Sequence, residues 1–125
     1  MAVELSALNE NLDYPAHLVI ERVRDDGQLN VWAQTLAQGF GEGENEAKWV
    51  RDVYQKIGLG DDVDFRHYLG WLDGKAVATT SLFLGAGVAG IYFVMTVPEA
   101  RRQGIGAAIT LAALRDARAL GYRAS

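Results

Sequence analysis

The apolar positions of the chain change their period along its length. From Leu29 they recur at Trp32, Ala33, Leu36, Ala37 and Phe40, spacings of three and four that leave one face of an α-helix apolar. Asp25-Asp26-Gly27 precedes the run, and either aspartate suits the helix cap. The glycines from Gly39 to Gly43 end it. A second helix is predicted from about Asn45, with Ala47, Val50, Val53, Tyr54 and Ile57 on its apolar face and Lys48, Arg51, Asp52 and Lys56 opposite. Gly58 is its C-terminal cap. Upstream, Val19 to Val23 reads as a short first strand.

Helical spacing then gives way to strands. Phe65 to Leu72 is rich in aromatics, and Asp73-Gly74 is a dipeptide of tight two-residue hairpins, because both positions tolerate positive φ. A second strand is predicted from about Lys75 to Leu84, a turn at Gly85-Ala86-Gly87, and a third strand from Val88 to Val97 that Pro98 terminates. From Gly104 to Leu120 the pattern is helical again, with Ile105, Ala108, Ile109, Ala112 and Ala113 apolar, Arg115, Asp116 and Arg118 polar, and Gly121 closing. The order is strand, helix, helix, three strands, helix. It predicts an α/β (α+β) fold, a mixed, mainly antiparallel sheet flanked by helices, as a single domain over residues 1–125.

Residues 76–98 carry no charge and are followed by Arg101 and Arg102, which matches the length and basic flank of a membrane span. Thr79, Thr80, Ser81 and the glycines at 85, 87 and 90 fit two buried strands and a turn instead, and the strand reading predicts no membrane partner. A small membrane-anchored protein is the alternative that this segment leaves open. The formal net charge of −4 supplies no global basic field, so no nucleic-acid partner is expected. The chain has no cysteine, which excludes disulfides, thiolate catalysis and zinc-thiolate sites, and no metal is expected. Its first residues do not read as a signal peptide, and a cytoplasmic location is expected.

Candidate chemistry gathers at the last strand-to-helix junction, Thr96-Val97-Pro98-Glu99-Ala100-Arg101-Arg102-Gln103-Gly104-Ile105-Gly106. A strand feeding a glycine-containing turn that opens a helix presents unpaired N–H groups and the positive end of the helix dipole, which together cradle an anion. The bland reading is a tight turn with two solvated arginines. A dinucleotide fingerprint does not fit, since Ile109 stands where that motif needs glycine or alanine.

Arg101-x-x-Gly104-x-Gly106, preceded by Pro98-Glu99 and an apolar strand, is similar to the coenzyme-A signature of the GNAT superfamily of N-acetyltransferases, arginine or glutamine followed by x-x-G-x-G or A. The element order from Val19 onward resembles that family as well. The resemblance implies acetyl-CoA as co-substrate, with its pantetheine arm on the main chain of Val94, Met95 and Thr96. It places the pyrophosphate on the N–H groups of Arg101, Arg102, Gln103, Gly104, Ile105, Gly106 and Ala107, with the arginine side chains near phosphate. It also implies direct attack of an amine on the thioester, an oxyanion held by a strand N–H around Val94, and a small-molecule or peptide amine as acceptor.

A base to deprotonate that amine is expected but has no assignment. Glu42 and Glu44 lie between the predicted early helices and are otherwise part of a solvated loop. Tyr92 alternates with Val94 and faces either cleft or core. His17 and His67 have no visible partner and read as structural or surface residues, and Trp32, Trp49 and Trp71 read as core. Compared with the family pattern, the sequence stops after the signature helix, so the resemblance predicts a fold incomplete at its C-terminus: a fragment, or a chain completed by a homo-oligomer or a second subunit. A non-catalytic acyl-CoA-binding or regulatory domain of this fold is the first alternative to an active N-acetyltransferase.

Overall fold

A computed structural model describes residues 15, 17–39, 41, 44–60, 64–85 and 88–122. Strands β1 (Val19–Arg22), β2 (Phe65–Leu72), β3 (Lys75–Gly85) and β4 (Val88–Thr96) lie side by side in that order, and every neighbouring pair is antiparallel. Helices α1 (Asp26–Gly39) and α2 (Glu44–Ile57) follow β1, and α3 (Ile105–Ala119) follows β4. The predicted element order and fold class are those of the structure. The uncharged segment 76–98 is spent on β3 and β4, and no helix among the described residues is long and apolar enough to cross a membrane.

Alternation along the strands divides the core into two layers. Tyr68, Ala78 and Leu82 pack with Ile105, Ile109 and Ala113 of α3, whereas Leu69 on the opposite face of β2 packs with Leu29, Trp32 and Leu36 of α1. Burying each large aliphatic side chain of these layers contributes about 1.5–3 kcal/mol, so the two clusters decide the fold. Helix α1 starts where the sequence predicts. Asp25 Oδ1 accepts from the Gln28 N–H at 2.7 Å, and Gln28 Oε1 accepts from the N–H groups of Arg24 and Asp25 at 2.7 and 3.3 Å. This reciprocal capping box contributes about 1 kcal/mol.

The hairpin turn is formed by Asp73 and Gly74 at φ 54° and 80°, both in the left-handed region that this dipeptide tolerates. Helix α2 departs from expectation. Ala47, Val50 and Tyr54 pack inward, but Val53 and Ile57 are exposed and Trp49 is 69% exposed. The reason is geometric: α2 packs mainly on α1 and reaches the sheet through Tyr54, so a narrower stripe of it meets the core.

Candidate active site

Strand β4 is the outermost strand among the described residues, and it is bulged. Thr79 pairs with Met95, but Ser81 pairs with Tyr92, so Phe93 and Val94 together stand opposite Thr80. Phe93 takes φ 55°, and Thr79 Oγ1 donates a 2.8 Å hydrogen bond to the Phe93 carbonyl that fixes the distortion. The side chains of Tyr92, Phe93 and Val94 are all exposed there, Tyr92 by 50%. On its outer side β4 has no strand partner among the described residues, although the Thr96 carbonyl there is already taken by Arg101 and Met95 is paired with Thr79 of β3.

Beyond β4 the chain is pinned by Val97 N–H donating to Val77 O at 2.8 Å, and Pro98–Ala100 makes one 3-10 turn. The junction then coils through two left-handed residues, Arg102 at φ 67° and Gly104 at φ 78°. Gly104 is the N-cap of α3, and Ala108 is the first residue to return a helical bond, to Gly104 O at 3.0 Å. The N–H groups of Ile105, Gly106 and Ala107 therefore have no acceptor within the helix, and they point along the positive end of its dipole. No acidic side chain stands in the first turn to occupy them. A Cβ built on Gly106 meets only Thr96 Oγ1, at 3.5 Å, so the glycine leaves open space beside the end of β4 rather than relieving a clash. Ile105 contributes only its N–H, since its side chain is buried in the core.

The two arginines are used differently. Arg102 is exposed and its side chain has no bonded partner among the described residues. Arg101 folds back, Nε donating to Thr96 O at 2.9 Å and Nη2 to Gly39 O at 3.1 Å. Its neighbour Glu99 accepts at Oε1 from Lys75 Nζ at 2.6 Å and from Gln38 Nε2 at 3.4 Å, and the Lys75 bond holds its carboxyl below the usual range. None of these four contacts has a signature in the sequence.

The remaining candidates do not converge on the bulge as a set. Glu42 and the side chain of Glu44 lie outside the described residues. His17 lies at the surface, 3.4 Å from Asp73 Oδ2. Tyr92 shares the α1 side of the sheet with Phe65, their rings 6.3 Å apart. His67 is buried among rings, its own centroid 4.5 Å from that of Trp32 and 4.6 Å from that of Tyr54, with Nδ1 2.6 Å from Ser81 Oγ and Nε2 without a hydrogen-bond partner among the described residues. Burial, and then the nearby positive charge of Arg22, push its pKa down to about 4, so the ring is neutral at pH 7. Trp32 is core, Trp71 donates its indole N–H to Glu21 Oε1 at 2.9 Å, and Trp49 is a surface residue, against expectation.

The bulged outer strand runs into a glycine-opened helix, and a profile of the acetyltransferase (GNAT) family matches residues 29–125. The chain belongs to that family. Solved structures of GNAT enzymes share its fold. A GCN5-related N-acetyltransferase from Kribbella flavida superposes with TM-score 0.71 at 22% identity, over 98% of this chain and 44% of its own. The PaiA N-acetyltransferase from Thermoplasma acidophilum, solved with coenzyme A, gives 0.64 at 18% identity over 83% of this chain and 75% of its own. The ribosomal-protein-S18-alanine N-acetyltransferase of Escherichia coli gives 0.66 at 14%, covering 84% and 62%. This GNAT chain thus spans less than half the length of the Kribbella structure. No curated protein sequence matches it.

Proposed function

We propose that this GNAT domain binds acetyl-CoA between the outer side of β4 and the start of α3 and serves transfer of the acetyl group to an amine. The observation that carries the reading is that the bulged strand β4 ends, at Thr96, beside Gly106 and the free N–H groups of residues 105–107, the strand suited to an amide-bearing arm and the helix start to a pyrophosphate. Gly104 and Gly106 keep the approach clear, and the unbound Arg102 supplies charge for a phosphate oxygen. Acetyl-CoA supplies an activated thioester; the amine forms the new N–C bond, the C–S bond breaks, and the thiolate takes up a proton on leaving. On this reading a main-chain N–H near Val94 holds the oxyanion that develops between those events. The acceptor is a small-molecule or peptide amine, and its amine must arrive deprotonated.

Titration calorimetry of coenzyme A against the wild type and Gly106→Val tests the donor site. The variant is expected to fold, because its Cβ meets only an ordinary contact, and to lose binding because its branches fill the cradle. Equal affinity in a folded variant would place the pyrophosphate elsewhere.

A further inference from the structure

We infer that Arg101 acts in donor binding as a positioning residue, through the main chain of Thr96 and Gly39, and not as a ligand of the pyrophosphate. The inference rests on the donor-site reading above and assigns the two neighbouring arginines separate tasks. The Arg101 partners come from the ends of two elements, Thr96 closing β4 and Gly39 closing α1, and the same Nη2 lies 3.7 Å from Met95 Sδ between them. Gly39 O is one of the last carbonyls of α1, which have no helical donor of their own, and the guanidinium N–H groups supply one.

The joint is close as well as bonded. A Cβ placed on Gly39 would fall on the Met95 side chain, so the end of α1 packs on that side chain with no room for another methyl. Glu99 makes a second strap from the same turn, to Gln38 of α1 and to Lys75 at the start of β3. Residues 99–101 thus clamp the end of α1 against the strand proposed to carry the pantetheine arm. Through these bonds the spacing between β4 and α1 is set by the turn that also opens α3. Arg102, one residue on, has its side chain in solvent and is the arginine whose charge is free for phosphate.

The two roles separate in how binding depends on salt and on the ligand's phosphates. Coenzyme A is titrated into the full chain and into Arg101→Ala, Arg101→Gln, Arg101→Lys and Arg102→Ala over a series of sodium chloride concentrations, with pantetheine as a phosphate-free probe. Arg101→Ala is expected to weaken coenzyme A roughly 10-fold, the loss of a charge-assisted hydrogen bond, while keeping the wild-type salt slope, and to weaken pantetheine by the same factor. Arg102→Ala is expected to flatten the salt slope and leave pantetheine binding unchanged. Arg101→Gln, an uncharged donor to carbonyl oxygens, is expected to retain more affinity than Arg101→Lys, which keeps the charge without the forked geometry. That last comparison stands even if Arg101→Ala fails to fold. A flattened slope in Arg101→Ala, or better binding by Arg101→Lys than by Arg101→Gln, overturns the assignment while the donor site itself stands. No coenzyme A binding by the wild type overturns both.

Discussion

The Tyr68 hydroxyl donates a 2.6 Å hydrogen bond to Asp116 Oδ2, tying the centre of β2 to the last turns of α3. Burial and the adjacent carboxylate both push the Tyr68 hydroxyl pKa up, so it remains a donor across the working pH range. Replacing Tyr68 with Phe leaves a partly buried carboxylate without this donor and should cost about 1.5–3 kcal/mol in urea unfolding. An unchanged midpoint would mean that Asp116 is satisfied by water alone.

His67 makes stability depend on pH. Its pKa is lowered to about 4 from the usual 6.5, so below pH 6.5 the unfolded chain takes up a proton that the native chain refuses. The stabilisation is therefore complete above about 6.5 and is lost as the pH falls towards 4, amounting to roughly 3 kcal/mol over the window. Denaturant melts at stepped pH should show this decline in the wild type and a flatter profile in His67→Gln. Parallel profiles would assign the acid sensitivity to other groups.

Gly39→Ala should destabilise the domain by about 1–3 kcal/mol, the range for overpacking, because the new methyl falls on the Met95 side chain. Combining it with Met95→Ala should recover part of that loss, giving a coupling between the two sites. Strictly additive effects would show that α1 and β4 are not in contact at this point in solution.

Arg102→Ala should weaken coenzyme A by roughly 1–3 kcal/mol if its charge meets a phosphate oxygen, with little change in thermal stability. Arg102→Gly makes a useful companion, since it removes the charge and also relaxes the φ of 67° that arginine tolerates poorly. It should be at least as stable as the wild type and still bind weakly. Full affinity in both would assign the anion cradle to the main chain alone.

The elements were legible because each announces itself locally. Asp73-Gly74 fixes a two-residue turn, and the spacing from Leu29 fixes the buried face of α1. What stayed hidden depends on register. Counting back from the turn, Leu72 pairs with Lys75 and Trp71 with Ala76, which would set His67 opposite Thr80; the irregularity between Gly70 and Trp71 shifts the pairing by one and brings His67 to Ser81 instead. The bulge at Phe93 is equally silent, since no glycine marks the positive φ. In the candidate site, the N–H cradle follows from the glycines and the helix start, whereas the fate of the Arg101 side chain depends on where α1 ends in space.

The uneven burial of the three tryptophans gives the molecule a built-in optical readout. Trp32 is sealed beneath α1 with the imidazole of His67 against it, Trp71 is held at its indole N–H by Glu21, and Trp49 stands in water on α2. A dissolved collisional quencher should therefore extinguish the long-wavelength edge of the emission first, from Trp49, while leaving the blue-shifted light of Trp32 until the core opens. Changes in the layer between α1 and the sheet can then be followed in the blue component without attaching any dye, separately from events at the surface of α2.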